Sequence, residues 1–137
     1  MGEVRVNVKL INALDRALAR RGEIKKEEIR TYEADALVDT GAVSSVVPPN
    51  VMEQLGLQSD GQRVAEYADG RNDLVELTEP ITFEIIGRRI TEGAMVLGNE
   101  VSIGQTILEV LDLLVDCNNH KVIPNPAHPD QPVVKIK

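Results

Sequence analysis

Alternating apolar and polar positions near the start of the chain predict a β-strand. Every second residue from position 4 to 10 is apolar, and polar residues fill the positions between them. Side chains of a strand point alternately to its two faces, so this segment is expected to bury one face and expose the other. Similar patterns predict strands at residues 29–38 and 43–47, and the second of these ends at Pro48 and Pro49.

The rest of the chain continues this strand-rich pattern. Two stretches, residues 62–67 and 74–86, flank the turn-rich segment 68–73, which predicts a β-hairpin. Pro80 predicts an irregularity in the second arm of that hairpin. Shorter strands are expected at residues 89–97, 101–103, 113–116, 121–123 and 133–136. Strands therefore dominate the predicted architecture.

Helical spacing of apolar residues is rarer. Residues 105–111 show it clearly, which predicts one short helix in the C-terminal third of the chain. Residues 12–21 fit either a short helix that ends before Gly22 or a broad loop. A further short helix is expected at residues 49–55. We find no internal repeat and no long linker, so the expected fold is a single all-β domain covering residues 1–137.

Composition and charge narrow the functional classes. The formal charge of -7 argues against nucleic acid, because phosphate contacts need clustered Lys and Arg. Basic residues at positions 16–26 are followed at once by Glu27 and Glu28, which predicts a solvated face rather than a binding patch. The single cysteine, Cys117, excludes an intrachain disulfide. Since the chain shows no secretion signal and no bilayer-spanning apolar run, we expect a cytoplasmic protein without membrane contact.

A lone carboxylate interrupts the apolar segment at residues 36–47. Asp39 is the only charged residue there, and Thr40 and Gly41 follow it. Burying an unpaired carboxylate is costly, so this strand predicts either chemistry at Asp39 or a partner that shares its charge. The triplet alone would occur by chance in roughly a few per cent of chains of this length. Its apolar flanks and the Ala-x-x-Ser continuation make the signal much sharper.

Other catalytic or metal-binding constellations are weaker. Cys117, His120 and His128 do not form the two close ligand pairs that structural zinc sites usually show, so no metal site is predicted. A buried cysteine and exposed loop histidines are the plainer interpretation. Serine or cysteine catalysis needs a base beside the nucleophile, and both histidines lie in a proline-rich tail. No glycine-rich loop has the layout of a phosphate cradle.

Three motifs together resemble the retropepsin-like aspartic proteases, single-domain relatives of pepsin. The first is the Asp-Thr-Gly turn within residues 37–47. The second is Ala-Asp-Gly at residues 68–70, which is similar to the flap of that family. The third is Ile-Gly-Gln and the helix after it, at residues 103–111. The likeness covers residues 30–116, and Pro-Asn-Pro at residues 124–126 resembles a prokaryotic branch of the group.

The resemblance implies a closed β-barrel or sandwich that acts as a homodimer. Two carboxyls that share a site cannot both ionise cheaply, so one stays protonated while the other activates a water molecule. That water attacks the carbonyl of a peptide or protein substrate, and the protonated acid stabilises the oxyanion. The chain holds one Asp-Thr-Gly triplet, so a two-fold dimer that supplies Asp39 from each subunit is the minimal solution. No cofactor is expected.

The same resemblance implies roles for individual residues. Asp39, Thr40 and Gly41 would be catalytic, with Thr40 bonding across the two-fold axis and Gly41 allowing close backbone approach. An ordinary turn would use the same threonine and glycine, and this alternative stays open. The residues implied to bind the peptide are Ala42, Val43, Ser44, Tyr67, Ala68, Asp69, Gly70 and Ile103. Those of the hairpin would close over the substrate, although a plain exposed hairpin would look the same.

One pair of positions departs from the retroviral pattern. An arginine and an aspartate that pair in those proteases are Gln105 and Val43 here. Because both are replaced together, neither leaves an unpaired buried charge. Dimer stability must then come from other contacts, and the chain ends at residues 4–10 and 133–136 are candidates for strand pairing between subunits.

Two functions remain open at this point. The first is a homodimeric aspartic endopeptidase. The second is a non-catalytic module of the same fold that dimerises or captures peptides by adding a strand to a sheet edge. A statine inhibitor, which mimics the transition state, would stabilise the first and barely affect the second.

Overall fold

The computed structural model describes residues 2–136 and consists mainly of β-strands. Within this range the strands are β1 (Arg5–Asn12), β2 (Thr31–Asp39), β3 (Val46–Val47), β4 (Ser59–Glu66), β5 (Asn72–Thr78), β6 (Ile81–Ile85), β7 (Arg88–Glu92), β8 (Met95–Val96), β9 (Ser102–Gly104), β10 (Leu113–Asp116) and β11 (Lys121–Pro124). The helices are α1 (Ala13–Arg20), α2 (Pro49–Gln54) and α3 (Gln105–Val110), with one turn of 3-10 helix at Lys26–Glu28. No helix in residues 2–136 is long and apolar enough to cross a bilayer.

Nine of these strands form one curled sheet. Their order is β4-β5-β8-β3-β9-β2-β1-β6-β7, while β10 and β11 make a separate hairpin. Most neighbours are antiparallel, but β2 pairs with β9 and β3 pairs with β8 in parallel. The predicted mainly-β fold is confirmed, and the sheet curls into a half-barrel. The two edges of this sheet are β4 and β7.

The core lies inside the curl of the sheet. Val8 and Leu10 on β1 have no exposed surface, as the alternating pattern predicted. The single phenylalanine, Phe83, is equally buried on β6, and α3 adds Ile107 and Leu108 from the other side. Each fully buried side chain of this size contributes about 1.5–3 kcal/mol relative to an exposed one, so burial of these apolar faces sets the strand register.

The two chain ends differ in what they offer to a second subunit. Among the described residues, positions 9–11 of β1 pair with both β2 and β6, but positions 5–8 pair with β2 alone, so the start of β1 keeps one side without a strand partner. The expectation of a strand at residues 133–136 is wrong, because that segment forms none. Its apolar side chains at Val133, Val134 and Ile136 are exposed, so both chain ends stay candidates for pairing between subunits.

A buried arginine holds the proline-rich tail in place. Arg88 on β7 donates hydrogen bonds to the carbonyl oxygens of Leu111 (2.9 Å), Asp112 (2.9 Å) and His128 (2.7 Å). The Asp112 carboxylate also accepts bonds from the Asn125 amide (3.0 Å) and from the backbone N–H of Val133 (3.1 Å). These contacts fix the tail against the end of α3, so an extended passage without strand partners remains ordered.

Residues 12–21 form a helix rather than a loop, because hydrogen bonds of two side chains, Asn12 and Asp15, stabilise its first turn. The Asn12 side chain caps α1 by accepting from the N–H of Asp15 (3.0 Å). The buried Asp15 carboxylate accepts bonds from the Arg30 guanidinium at 2.8 and 3.0 Å and from the Arg30 N–H at 3.0 Å. The Arg30 side-chain hydrogen bond lowers the pKa of Asp15 below its ordinary value.

Asp15→Asn is expected to lower the free energy of unfolding at pH 7 by about 1–2 kcal/mol, because one partner of a charge-assisted pair is lost. The folded-state pKa of Asp15 is depressed, so its contribution is present above the unfolded value of 3.8 and is lost as the pH falls below it. Urea unfolding at pH 7 and near pH 3 measures this. Asp60→Asn, at an exposed position on β4, is the control. A difference from wild type that is equally large at both pH values would contradict the expectation.

Candidate active site

Asp39 ends β2 in an exposed position. Its backbone lies opposite Gly104 in the parallel pairing of β2 with β9. The Oδ1 atom of Asp39 accepts a bond from the Gly41 N–H (3.1 Å), and its carbonyl accepts one from the Ala42 N–H (3.2 Å). No cation in residues 2–136 forms an ion pair with it. The carboxylate in an apolar segment is therefore solvated at a turn, not buried.

The segment after the turn is fastened to the start of α3. Ser45 is buried, and its Oγ accepts a bond from the Gly104 N–H (3.0 Å). The N–H of Gln105 donates to the Ala42 carbonyl (2.8 Å). Gly104 has no room for a side chain, because an added Cβ would lie 2.6 Å from the Val43 carbonyl oxygen. The first and third sequence motifs are thus parts of one packed unit.

A groove of about 650 Å³ separates the Asp-Thr-Gly turn from the β4–β5 hairpin. Asp39 and Gly41 lie on its wall. Five residues predicted to bind substrate also line it: Ala42, Val43, Ser44, Tyr67 and Ala68. The sheet brings further lining residues that sequence reasoning did not find: Val46, Val64, Met95, Leu97 and Ser102. Most of these are apolar, so the groove is suited to apolar side chains of a ligand.

Four predicted site residues lie outside this groove. Ile103 has no exposed surface and packs in the core, so it cannot touch a ligand here. Asp69 and Gly70 occupy the exposed hairpin tip and do not line the groove. Thr40 is exposed and lines a separate depression, together with Val4 and other residues of the opposite side of the turn. Its side chain therefore lies away from the groove wall.

The predicted hairpin is confirmed, and polar contacts order its tip. The Tyr67 N–H donates to the Arg71 carbonyl (2.8 Å), and the Arg71 guanidinium lies 4.8 Å from the centre of the Tyr67 ring. Arg71 also pairs with Asp69 at 2.8 Å. The Tyr67 hydroxyl donates to Asp73 (3.0 Å), and this hydrogen bond raises the pKa of Tyr67. On the arms, Val64 and Leu74 face each other across the strands and are both exposed.

The remaining candidate groups do not gather into a site. Cys117 is exposed, so the expectation of a buried cysteine is wrong. The His128 ring lies 2.6 Å from the Asp112 carboxylate within the tail network. Over residues 2–136, no group of three or more His, Cys, Asp or Glu side chains is arranged to hold a metal ion.

Comparisons with known proteins concern the same elements. The Aspartyl protease family model matches residues 21–80, which include the turn and the hairpin. No curated protein matches the chain by sequence. EIAV protease complexed with the inhibitor HBY-793 is 22% identical, over 78% of this chain and 86% of its own, with a TM-score of 0.53. The retroviral protease-like domain of Ddi1 from Leishmania major is 17% identical, over 92% of this chain and 90% of its own, with a TM-score of 0.55.

Proposed function

Because the chain has the retropepsin-like aspartic protease fold, we propose that it is an aspartic endopeptidase that works as a homodimer. The observation that carries this proposal is the position of Asp39. Its carboxylate is exposed at a hydrogen-bonded turn, has no ion-pair partner in the part of the chain described, and lies on the wall of a largely apolar groove. A second copy of the same turn would supply the other acid.

The reaction follows from the electrostatics of two neighbouring carboxyls. When the Asp39 side chains of two subunits face each other, they share one proton, because two adjacent negative charges repel strongly. The ionised carboxylate takes a proton from a water molecule, which attacks the scissile carbonyl carbon. The protonated carboxyl gives its proton to the carbonyl oxygen as the tetrahedral intermediate forms. Collapse of that intermediate breaks the C–N bond: the departing amine takes the proton that the first carboxylate removed from water, and a hydroxyl of the intermediate returns a proton to the second carboxylate.

The substrate is proposed to be an extended peptide held between the turn and the hairpin. Val43, Val46 and Met95 offer apolar surface along the groove, which favours apolar side chains near the cleaved bond. Tyr67 and Ala68 reach the groove from the hairpin, so movement of the hairpin would cover the peptide and exclude water. Thr40 lies on the other side of the turn, where a contact with a second subunit would not obstruct the groove.

A non-catalytic peptide-binding module is the second candidate. The strand β4 forms an edge of the sheet and lies beside the groove, so a captured peptide could pair with it. The exposed cross-strand pair of Val64 and Leu74 would gain from being covered. This function needs neither the Asp39 carboxylate nor a dimer.

We expect the purified protein to cleave an unstructured protein at acidic to neutral pH. Cleavage per mole of chain should rise with protein concentration, because dilution separates the subunits. A statine inhibitor at a hundredfold excess over its Kd should stop cleavage and raise the unfolding midpoint by about 10 °C. If the protein binds peptides without cleaving them, and its unfolding midpoint does not change with the inhibitor, it is the non-catalytic peptide-binding module.

A further inference from the structure

A second concave surface lies on the opposite part of the sheet from the hairpin. Its volume is about 790 Å³, and it is formed by α1, the 3-10 turn and the strands β1, β6 and β7. Five cationic side chains line it: Lys9, Arg16, Arg20, Lys26 and Arg89. We call this surface the basic groove. It shares no lining residue with the groove at Asp39.

The fold gathers these cations from distant parts of the chain. Arg16 and Arg20 are four residues apart on α1, so they lie on one face of the helix. Lys9 and Arg89 flank Glu84 in the cross-strand row of β1, β6 and β7. The basic residues at positions 16–26 therefore form only part of a groove, which residues of β1, β6 and β7 complete.

The protein neutralises only part of the positive charge in the basic groove. Glu27 and Glu84 are the carboxylates that line it, which leaves an excess of three positive charges on a chain whose net charge is -7. In residues 2–136, none of the five cations forms an ion pair. Burial lowers the pKa of Arg16, and the nearby guanidinium groups of Arg89 and Arg20 lower it further, while Glu84 opposes the shift. These guanidinium groups repel one another, and a bound anion would relieve that repulsion.

We propose that the basic groove binds a compact phosphate-bearing polyanion of about the size of a triphosphate. Guanidinium groups bind phosphate oxygens through two parallel hydrogen bonds, and three arginines line this groove. The volume lies within the usual range of small-molecule sites. Ala19 and Ile29, both half-buried, add an apolar area for an organic group attached to the phosphates. A compact concavity favours such a ligand over an extended acidic peptide.

Isothermal titration of the whole protein with tripolyphosphate, at fixed ionic strength, tests this directly. Saturable 1:1 binding is expected, and Arg16→Gln and Arg89→Gln should each weaken it about tenfold, since each removes a charge-assisted hydrogen bond. Arg21→Gln is the matched control, because Arg21 follows α1 but does not line the groove. A parallel titration with adenosine triphosphate distinguishes two possible natural ligands, a free polyphosphate and a nucleotide. A higher affinity for the nucleotide would indicate that its organic part contacts the apolar area.

The outcomes separate specific binding from general attraction to positive charge. The proposal would be overturned if Arg21→Gln and Arg16→Gln lowered the affinity for tripolyphosphate equally. It would also be overturned if sulfate bound as tightly as tripolyphosphate. Tight binding of a polyglutamate peptide with none of tripolyphosphate would also overturn it, in favour of a protein partner. None of these measurements requires cleavage, so they hold whether or not the protein is a protease.

Discussion

Asp39→Asn is expected to lower kcat for peptide cleavage by about a thousandfold or more. Asparagine has nearly the same shape as aspartate but cannot accept the proton of the attacking water. Its side-chain oxygen can still accept the Gly41 N–H bond, so the turn should stay folded. The measurement is the initial rate on an unstructured protein, with circular dichroism to confirm the fold.

Glu66→Gln is the matched control for this substitution. Glu66 also lines the groove, but it lies on β4 and not at the turn. If two Asp39 carboxyls form the catalytic pair, removing the Glu66 carboxylate should change kcat by less than about tenfold. Loss of cleavage in both variants would contradict the dimeric mechanism, because it would indicate a pair made of Asp39 and Glu66 within one chain.

Mixing the two forms of the protein tests whether the site is shared. When equal amounts of wild type and Asp39→Asn exchange subunits freely, a quarter of the dimers keep both acids. The mixture should then show about half the activity of the same amount of wild type alone. Unchanged activity would mean that each wild-type chain works by itself, and would exclude the proposed pairing.

The strands could be predicted from the sequence because their signals are local. The alternation on β1 and the turn-rich segment between β4 and β5 depend on neighbouring residues only. The segment at residues 133–136 has the same local signal and still forms no strand, because Val133 bonds to the Asp112 carboxylate instead of to a strand partner. Local pattern alone therefore cannot tell a paired strand from an extended tail.

Groove-lining residues could be predicted from the sequence only where they belong to a short motif of consecutive residues. The Asp39 turn was found because its residues are consecutive, and Ile103 was included because it lies in a motif although it faces the core. The positions of Met95 and Arg89 in their grooves cannot be predicted in this way, since each depends on strand pairings between distant segments. Sequence separation hides such neighbours until the order of the strands is known.

Gly104→Ala is expected to destabilise the fold by about 2–3 kcal/mol and to abolish cleavage with it. The added Cβ would lie 2.6 Å from the Val43 carbonyl oxygen and 2.7 Å from that of Ser44. Both are backbone atoms of the segment after the Asp39 turn, so they cannot move aside as a flexible side chain would. Relief of the clash must shift either this segment or the start of α3, and either movement displaces the turn that carries Asp39.

Gly41→Ala is the control that separates crowding from loss of glycine itself. Its backbone has no left-handed φ, and the nearest atom to an added Cβ is Asp39 Oδ1 at 3.4 Å. The free energy of unfolding of this variant should differ from that of wild type by less than about 1 kcal/mol. Urea unfolding of both variants measures the difference. If Gly104→Ala were as stable as Gly41→Ala, the two motifs would not be rigidly packed, and the Asp39 turn would have to be held by other contacts.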